Sequence, residues 1–486
     1  MNIAKVARSD YLKLLPILAL AFYLAFIPHQ DYAYLVHLDE WIHVSCADEV
    51  IKEGHAVSLT DPFSGGTRIQ NQVIEVCFHL FLAVFRQISD LPWLTIFKYF
   101  PGIIFMLTVL SAYVLGRRRG FGWEAALMTC LIPTTVGILG PGFLVPVALG
   151  LFFLPLCLFV AFHFRNWGSY AALFMFTLFL LGMHSATAIV MITILIPYII
   201  LNLKGNLLHS VGMAAAMTIP FLIVMPWLSD MLVFPAAKGL LVPTTGLLPY
   251  VDVPRIIPVY GYLPILLCVV GCIIAVIRGG RENYGLIFGL LVLLALLAVF
   301  FKLSYGIDIM YYRGLQFMML MMSIVAGYGL AATKDLKIPL QLTARLKMAS
   351  PLRHVGYVLC LLLIIGTFYT AVPVRQHMYY YHMIDDQDYE AFVWIRDNLD
   401  DGYKKAIVDP VKGSPFTAIT SKNVFTWLGA MPIPSDVTAY GFLGSGSTDT
   451  KFLKDNNISI VYSRQNVNNP DLKEVRPYVY VFKDTE

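Results

Sequence analysis

The stretch HLDEWIHVSCADEV, His37 to Val50, puts four carboxylates, Asp39, Glu40, Asp48 and Glu49, into one short segment of a chain that carries few charges. It stands directly after the apolar run LPILALAFYLAFIP, which ends at Pro28. How that run is read decides the fold. The 486 residues are 58% hydrophobic and only 14% charged, with a mean hydropathy of +0.69. Soluble domains carry about 25% charged residues, so a chain this apolar needs a bilayer as its solvent. The run is then a first membrane span with a basic start, kept in place because it lacks a small-residue cleavage site. The acids lie just beyond its far end. The net charge of +4 has no basic block behind it, which argues against nucleic acid as a partner.

Apolar segments long enough to cross recur near 12–28, 94–115, 123–139, 143–163, 168–182, 186–201, 211–229, 257–277, 284–301, 312–332 and 355–373. They make about eleven helices on the criterion of some 20 residues per span. The distribution of Lys and Arg tests this division. With a cytoplasmic N-terminus, the inner loops hold Lys5, Arg8 and Lys13, then Arg117 to Arg119, Arg165, Lys204, Arg278 and Arg281, and finally Lys334, Lys337, Arg345, Lys347 and Arg353. The short outer turns near Gly140 and His184 hold none. The first loop (29–93), the stretch 230–255 and everything after about 373 are therefore expected outside. Residues 1–373 form a transmembrane domain that includes this loop, and 374–486 an extracellular domain.

The tail is less apolar than the spans. DDQDYEAFVWIRDN reads as a short amphipathic helix, followed by a turn at Gly402 and a strand at Ala406 to Asp409. ISIVYS and YVYVFK are further strands, rich in β-branched and aromatic residues. The expected fold is thus a polytopic α-helical membrane protein with a small extracellular α/β domain. Asn457-Ile458-Ser459 is a glycosylation sequon within that domain.

The first loop is too long for a connector, and long loops are usually functional. Residues 41–53 have a helical pattern ending at Gly54, DPFSGG is a turn, and 71–89 form a second helix with one apolar side, suited to the membrane interface. Asp39 and His43 share a helix face at a spacing of four, and Glu75 and His79 repeat that spacing. These four can converge on a divalent metal, or one carboxylate can serve as a base. The plainer alternatives are that Asp39 caps the helix, that Glu40 favours its positive end, and that Glu75 and His79 turn polar groups to water. Cys46 and Cys77 lie in the same loop, and their spacing neither requires nor forbids a disulfide. The other five cysteines sit in apolar runs as small hydrophobes.

An Asp-Glu pair beyond the first span, a long helical first loop, many spans and a small outer C-terminal domain together resemble the GT-C superfamily of membrane glycosyltransferases. This group includes the protein O-mannosyltransferases, the lipid A aminoarabinose transferases and the catalytic subunits of oligosaccharyltransferases. The first two also carry Asp-Glu in this loop. The Asp-x-Asp and Trp-Trp-Asp motifs of the oligosaccharyltransferases do not stand here, where the tail's tryptophans are Trp394 and Trp427. HLDEW, DPFSGG and FHLFLAVF are also similar to archaeal membrane proteins assigned to the group. The resemblance implies a sugar donor carried on a polyprenyl or dolichyl phosphate, and an acceptor (protein, lipid or surface polymer) at the outer face. It also implies a base or metal-ligand role for Asp39, with Glu40 beside it, and a divalent metal such as Mg or Mn.

The departing phosphate needs positive charge. Arg313, in GIDIMYYRGLQF, stands at the expected outer end of the tenth span and offers a planar fork of donors; the plainer reading is an Arg that snorkels to the interface. His184, in GMHSATA, contacts phosphate or sugar, or is simply solvated. Lys302 and Asp308 flank the Arg313 segment and can pair with the lipid head or with each other. GPGFLVPVALG, 140–150, suits either a pocket wall or a plain loop. The rival class is a multi-span transporter of a lipid-linked or small polar substrate. Transporters place charge near the bilayer midplane, whereas the candidate charges here cluster at one rim.

Overall fold

The structure, a computed structural model, describes residues 10–56, 59–66, 75–133, 140–228, 257–258, 260–306, 308–336, 355–376, 382–429 and 433–483. In chain order the helices are α1 (Asp10–Phe26), α2 (Leu38–Glu53), α3 (Val76–Ser89), α4 (Trp93–Arg117), α5 (Gly122–Thr129), α6 (Pro146–His163), α7 (Trp167–Leu203), α8 (Leu207–Leu228), α9 (Tyr262–Arg278), α10 (Arg281–Leu303), α11 (Asp308–Lys334), α12 (Val355–Gln376) and α13 (Asp386–Asn398). Then follow β1 (Lys405–Ile407), α14 (Gly413–Thr420), β2 (Asn423–Val424), α15 (Pro434–Gly444), α16 (Thr450–Asp455), β3 (Ile460–Tyr462), β4 (Leu472–Arg476) and β5 (Val479–Phe482). The expected stretch 230–255, the basic residues 337–353 and the start of the second loop helix at 71–74 lie outside the described residues.

The chain divides into two compact units, one of 1–28 and 99–378, the other of 29–98 and 379–486. The first unit is helical. Among the described residues, seven helices are long and apolar enough to cross a membrane, and Val76–Ser89, Tyr262–Arg278 and Val355–Thr370 are shorter apolar helices. The expected spans at 168–182 and 186–201 form one element, α7, which is too long for a single crossing. It is a hairpin. His184 is extended (φ −163°, ψ 91°) and breaks the helix into two arms. Tyr170, at the start of the first arm, hydrogen-bonds His209 at 2.9 Å, and Tyr198, near the end of the second arm, stands against the same imidazole at 6.5 Å between ring centres. A straight helix would hold Tyr170 and Tyr198 about 40 Å apart.

Close approach of backbones holds the first unit together. A Cβ on Gly271 of α9 would stand 2.1 Å from the Val325 carbonyl of α11, and one on Gly329 of α11 would stand 2.1 Å from the Leu267 carbonyl of α9. Only glycine fits at either contact, as in small-residue packing between membrane helices. Glu124 of α5 is buried and paired with Lys334 of α11, whose ammonium also lies over the Trp123 ring. Arg119 and His163 both lie 3.9 Å from Glu282. Many of the basic residues expected on the inner side are thus tied to acids or aromatic faces.

The second unit contains a five-stranded sheet of order β2-β1-β3-β5-β4. β1 pairs in parallel with β2 and β3, and β5 runs antiparallel to β3 and β4. Its core gathers Ile407, Phe442, Leu443, Leu453, Ile458 and Val461. The three expected strands appear as β1, β3 and β5, and the amphipathic helix as α13. β2 and β4 are additional; β2 has two residues and β4 is LKEVR, so neither carries an apolar run. Residues 29–98 are part of this unit for visible reasons. The Tyr32 hydroxyl donates to the Ile384 carbonyl (2.6 Å) and the Tyr34 hydroxyl to Asp386 (2.8 Å). In the DPFSGG turn the Phe63 carbonyl accepts from the Val424 amide (2.9 Å), and the Phe63 ring packs 4.5 Å from Trp427.

Candidate functional site

Helix α2 begins where the sequence places its acids, because the local residues close its first turn. His37 is extended and its Nδ1 accepts from the Asp39 amide at 3.1 Å. Glu40 reaches back so that its Oε2 accepts from the Val36 amide (3.0 Å) and the His37 amide (3.3 Å). This is a capping box, in which a side chain three residues into the helix satisfies amides that have no helical partner. The cap is therefore His37 and not Asp39. Glu40 is fully buried and its carboxylate holds the helix start, which leaves Asp39 as the more accessible acid, its side chain 31% exposed and 3.9 Å from His37 Nδ1. Gly54, at φ 73°, ends the helix as expected.

One turn beyond Asp39, His43 is buried against α3. Its Nδ1 lies 3.1 Å from His79 Nε2 and 3.9 Å from Glu75 Oε2, and its ring meets Phe78 edge-on. The ligand atoms of His43, Glu75 and His79 all lie within 4.8 Å of one another. Two ligands of a tetrahedral ion with bonds of about 2.05 Å stand about 3.3 Å apart; the His43–His79 pair is at that spacing and the Glu75 carboxylate lies beyond it, so the three residues are candidates for holding a metal. Asp39, expected as a fourth ligand, stands outside this group. Two imidazoles and one carboxylate suit zinc and related ions, whereas magnesium and manganese take mostly oxygen. The donor set departs in this respect from the Mg or Mn expectation. Cys46 and Cys77 are not joined by a disulfide.

The sequence counts Asp48 in the acid cluster without giving it a role of its own. It follows His43 on α2, and its Oδ1 accepts from the Trp93 indole at 2.8 Å. Burial pushes its carboxyl up to about 6, against the opposing effects of the Trp93 hydrogen bond and the Arg86 charge; Glu49 adds to the rise.

The remaining candidates belong to the helical unit. His184 is at the tip of the α7 hairpin, where a short turn is expected, but it is 3% exposed, and this rules out the solvated alternative. Its Nδ1 lies 2.6 Å from Thr187 Oγ1. Gly150, in the segment read as a pocket wall, packs against Thr187. Arg313 is half-buried in the first turns of α11, and Lys302 is exposed in the last turn of α10. The side chain of Asp308, at the start of α11, is outside the described residues.

Neither a protein-family model nor a curated protein matches the chain. Solved structures do. The oligosaccharyltransferase of Archaeoglobus fulgidus in its apo form is similar with a TM-score of 0.64 at 13% identity, over 92% of this chain and 69% of that one. ArnT of Cupriavidus metallidurans, bound to undecaprenyl phosphate, is similar with a TM-score of 0.56 at 13% identity, over 97% of both chains. The chain has the GT-C fold. A third GT-C enzyme, the mycobacterial arabinofuranosyltransferase AftD, matches with a TM-score of 0.61 at 12% identity, over 97% of this chain and 40% of the longer enzyme. The GT-C likeness thus extends over nearly the whole chain, far beyond the few motifs legible in its sequence. The A. fulgidus enzyme has also been solved in complex with zinc and sulfate.

Proposed function

We propose that the protein is a membrane glycosyltransferase that moves a sugar from a polyprenyl- or dolichyl-phosphate carrier to an acceptor at the outer face of the membrane. The observation that carries this reading is the likeness to ArnT over nearly all of both chains, that enzyme having been solved with undecaprenyl phosphate. Residue roles follow from chemistry. Asp39 is the base that takes the proton of the acceptor nucleophile, since it is the accessible acid of the pair and Glu40 is committed to the helix cap. Arg313, with His184 and Lys302, supplies donors and charge for the leaving phosphate. His43, Glu75 and His79 hold a zinc-class ion. When bound, such an ion fastens α2 to α3 and adds positive charge beside the acids. The N-terminus is cytoplasmic and the second unit extracellular, following the Lys and Arg distribution. The acceptor is a protein, a lipid or a surface polymer, and the sugar a hexose or a pentose.

The test is transfer by purified protein in detergent, using a panel of polyprenyl-phosphate hexoses and pentoses against hydroxyl acceptors of each class (a Ser/Thr peptide, a lipid and an oligosaccharide), with and without added zinc. Release of free carrier phosphate from one member of the panel is the expected result. No release from any member, by protein that is folded and zinc-loaded, would remove the reading.

A further inference from the structure

Of the asparagines in the chain, Asn457 alone is followed two residues later by Ser or Thr. It stands at the turn between α16 and β3, in the second unit. The turn is built on the helix end. The Asn457 amide donates to the Lys454 carbonyl (3.1 Å) and the Ile458 amide to the Leu453 carbonyl (2.8 Å), with Asn457 itself at φ 53°. Two such bonds around one left-handed residue make a Schellman motif. Its apolar ends, Leu453 and Ile458, are both buried in the core of the sheet.

Asn457 is exposed, and among the described residues its side-chain amide takes part in no hydrogen bond. Its neighbour Asn456 differs, since that amide donates to the Phe452 carbonyl at 2.9 Å. The turn asks for a residue that tolerates positive φ, a demand glycine meets at least as well. That demand explains neither an unbonded amide pointing to solvent nor the serine two residues on. Both belong to the acceptor pattern for N-linked sugar, which is bulky and needs an open surface. Lys454 and Asp455, beside the turn, are exposed as well and leave room for it.

The closed turn is a poor substrate. Ile458 is 2% exposed, and Ser459 is held to β1, its amide and its hydroxyl both donating to the Lys405 carbonyl (2.9 and 3.2 Å). An enzyme that must engage Asn457 and Ser459 together meets them only before this turn packs on the sheet.

We propose that Asn457 carries an N-linked oligosaccharide, added as the chain emerges at the outer face and before α16 and β3 pack. This rests on the reading that the second unit is extracellular. The donor is an oligosaccharide on a lipid phosphate or diphosphate, and a separate enzyme transfers it. Asn457 Nδ2 bonds to the anomeric carbon as the bond from that carbon to the carrier's phosphate oxygen breaks. The phosphate leaves with the electron pair, and Nδ2 gives one proton to a base of the transferring enzyme.

The test is mass spectrometry of the full chain purified from its native membranes, where the tryptic peptide Asp455 to Arg464 holds the site. A saccharide mass at Asn457 is the expected result. Asn457→Asp keeps a residue that tolerates the left-handed turn and removes the amide; Ser459→Ala keeps Asn457 and removes the hydroxyl. Both should lose the saccharide entirely, and Ser459→Thr should retain it. Ser459→Ala carries the test alone should Asn457→Asp fail to fold, and a saccharide that persists in it would overturn the assignment. Unmodified chain that is first folded and then mixed with native membranes should gain no sugar; a gain would overturn the order of events. Impermeant labelling of Thr448→Cys in the same cells separates the inference from the topology. A labelled Thr448→Cys with a bare Asn457 would overturn the inference and leave the outer placement standing. A protected Thr448→Cys with a bare Asn457 would overturn both.

Discussion

Asp39 and Glu40 are neighbours with different environments, and that difference sorts their work. Both amides behind Glu40 depend on its carboxylate, while Asp39 retains access to solvent. Under the proposed function, Arg313 has the complementary task on the phosphate. Arg313→Ala should cost on the order of 2–4 kcal/mol in transition-state stabilisation. Arg313→Lys should recover part of this, because charge returns without the fork. Melting temperature and steady-state kinetics on the same preparations check the point: a packing role would lower the former and spare the latter. Asp48 allows a test that needs no substrate. Its carboxyl is pushed from 3.8 up to about 6 by burial. A folded-state value raised above the unfolded one means that folding favours the protonated form, so stability falls as pH rises from about 4 to about 6. Asp48→Asn keeps an acceptor for Trp93 and removes that loss. It should stabilise the protein by about 2–3 kcal/mol at pH 7.5 and be neutral at pH 4, as read by thermal unfolding at the two pH values. Equal effects at both would contradict the assignment.

At the scale of elements, the hairpin α7 and the α9–α11 crossing illustrate what a sequence discloses. Gly271→Ala should lower stability by about 1–3 kcal/mol through overpacking, since its Cβ meets the backbone carbonyl of Val325 rather than a yielding side chain. A melting temperature equal to that of the native protein would show that the helices separate freely there. The spans were legible because twenty-residue apolar runs leave few alternatives in lipid. The break between 182 and 186 was legible too, from the division of a long apolar stretch into two spans with a short turn near His184. That His184 is buried there was not, because burial depends on packing between segments distant in sequence. In the same way, periodicity located α2 and brought Asp39 into view. His37 as the cap and Glu40 as its partner follow from backbone geometry that spacing leaves open. The His43, Glu75 and His79 group was anticipated from two spacings of four, and Asp39, which shares the face of His43, is not among the three clustered ligand atoms. The two-residue β2 and the charged β4 escaped because their pairing comes from neighbours rather than from composition.

At the scale of the whole molecule, the Lys and Arg distribution predicts that the first loop and the C-terminal residues lie outside. Ser64 and Thr448 are exposed, so cysteines introduced there should react with an impermeant reagent in intact cells. Protection of both, with labelling after permeabilisation, would invert the topology and move the acids to the cytoplasmic side. The GT-C architecture carries many transferases, and a fold by itself does not assign a reaction. The account's central claim is that this chain cleaves a sugar from a lipid phosphate with Asp39 as the base. Release of free polyprenyl phosphate on transfer of the sugar to an added acceptor, by purified native protein and by Asp39→Asn at matched folding, measures that claim most directly. The account predicts release by the native protein and a loss of at least about a hundredfold in the variant. Release at near-native rate by Asp39→Asn would contradict it.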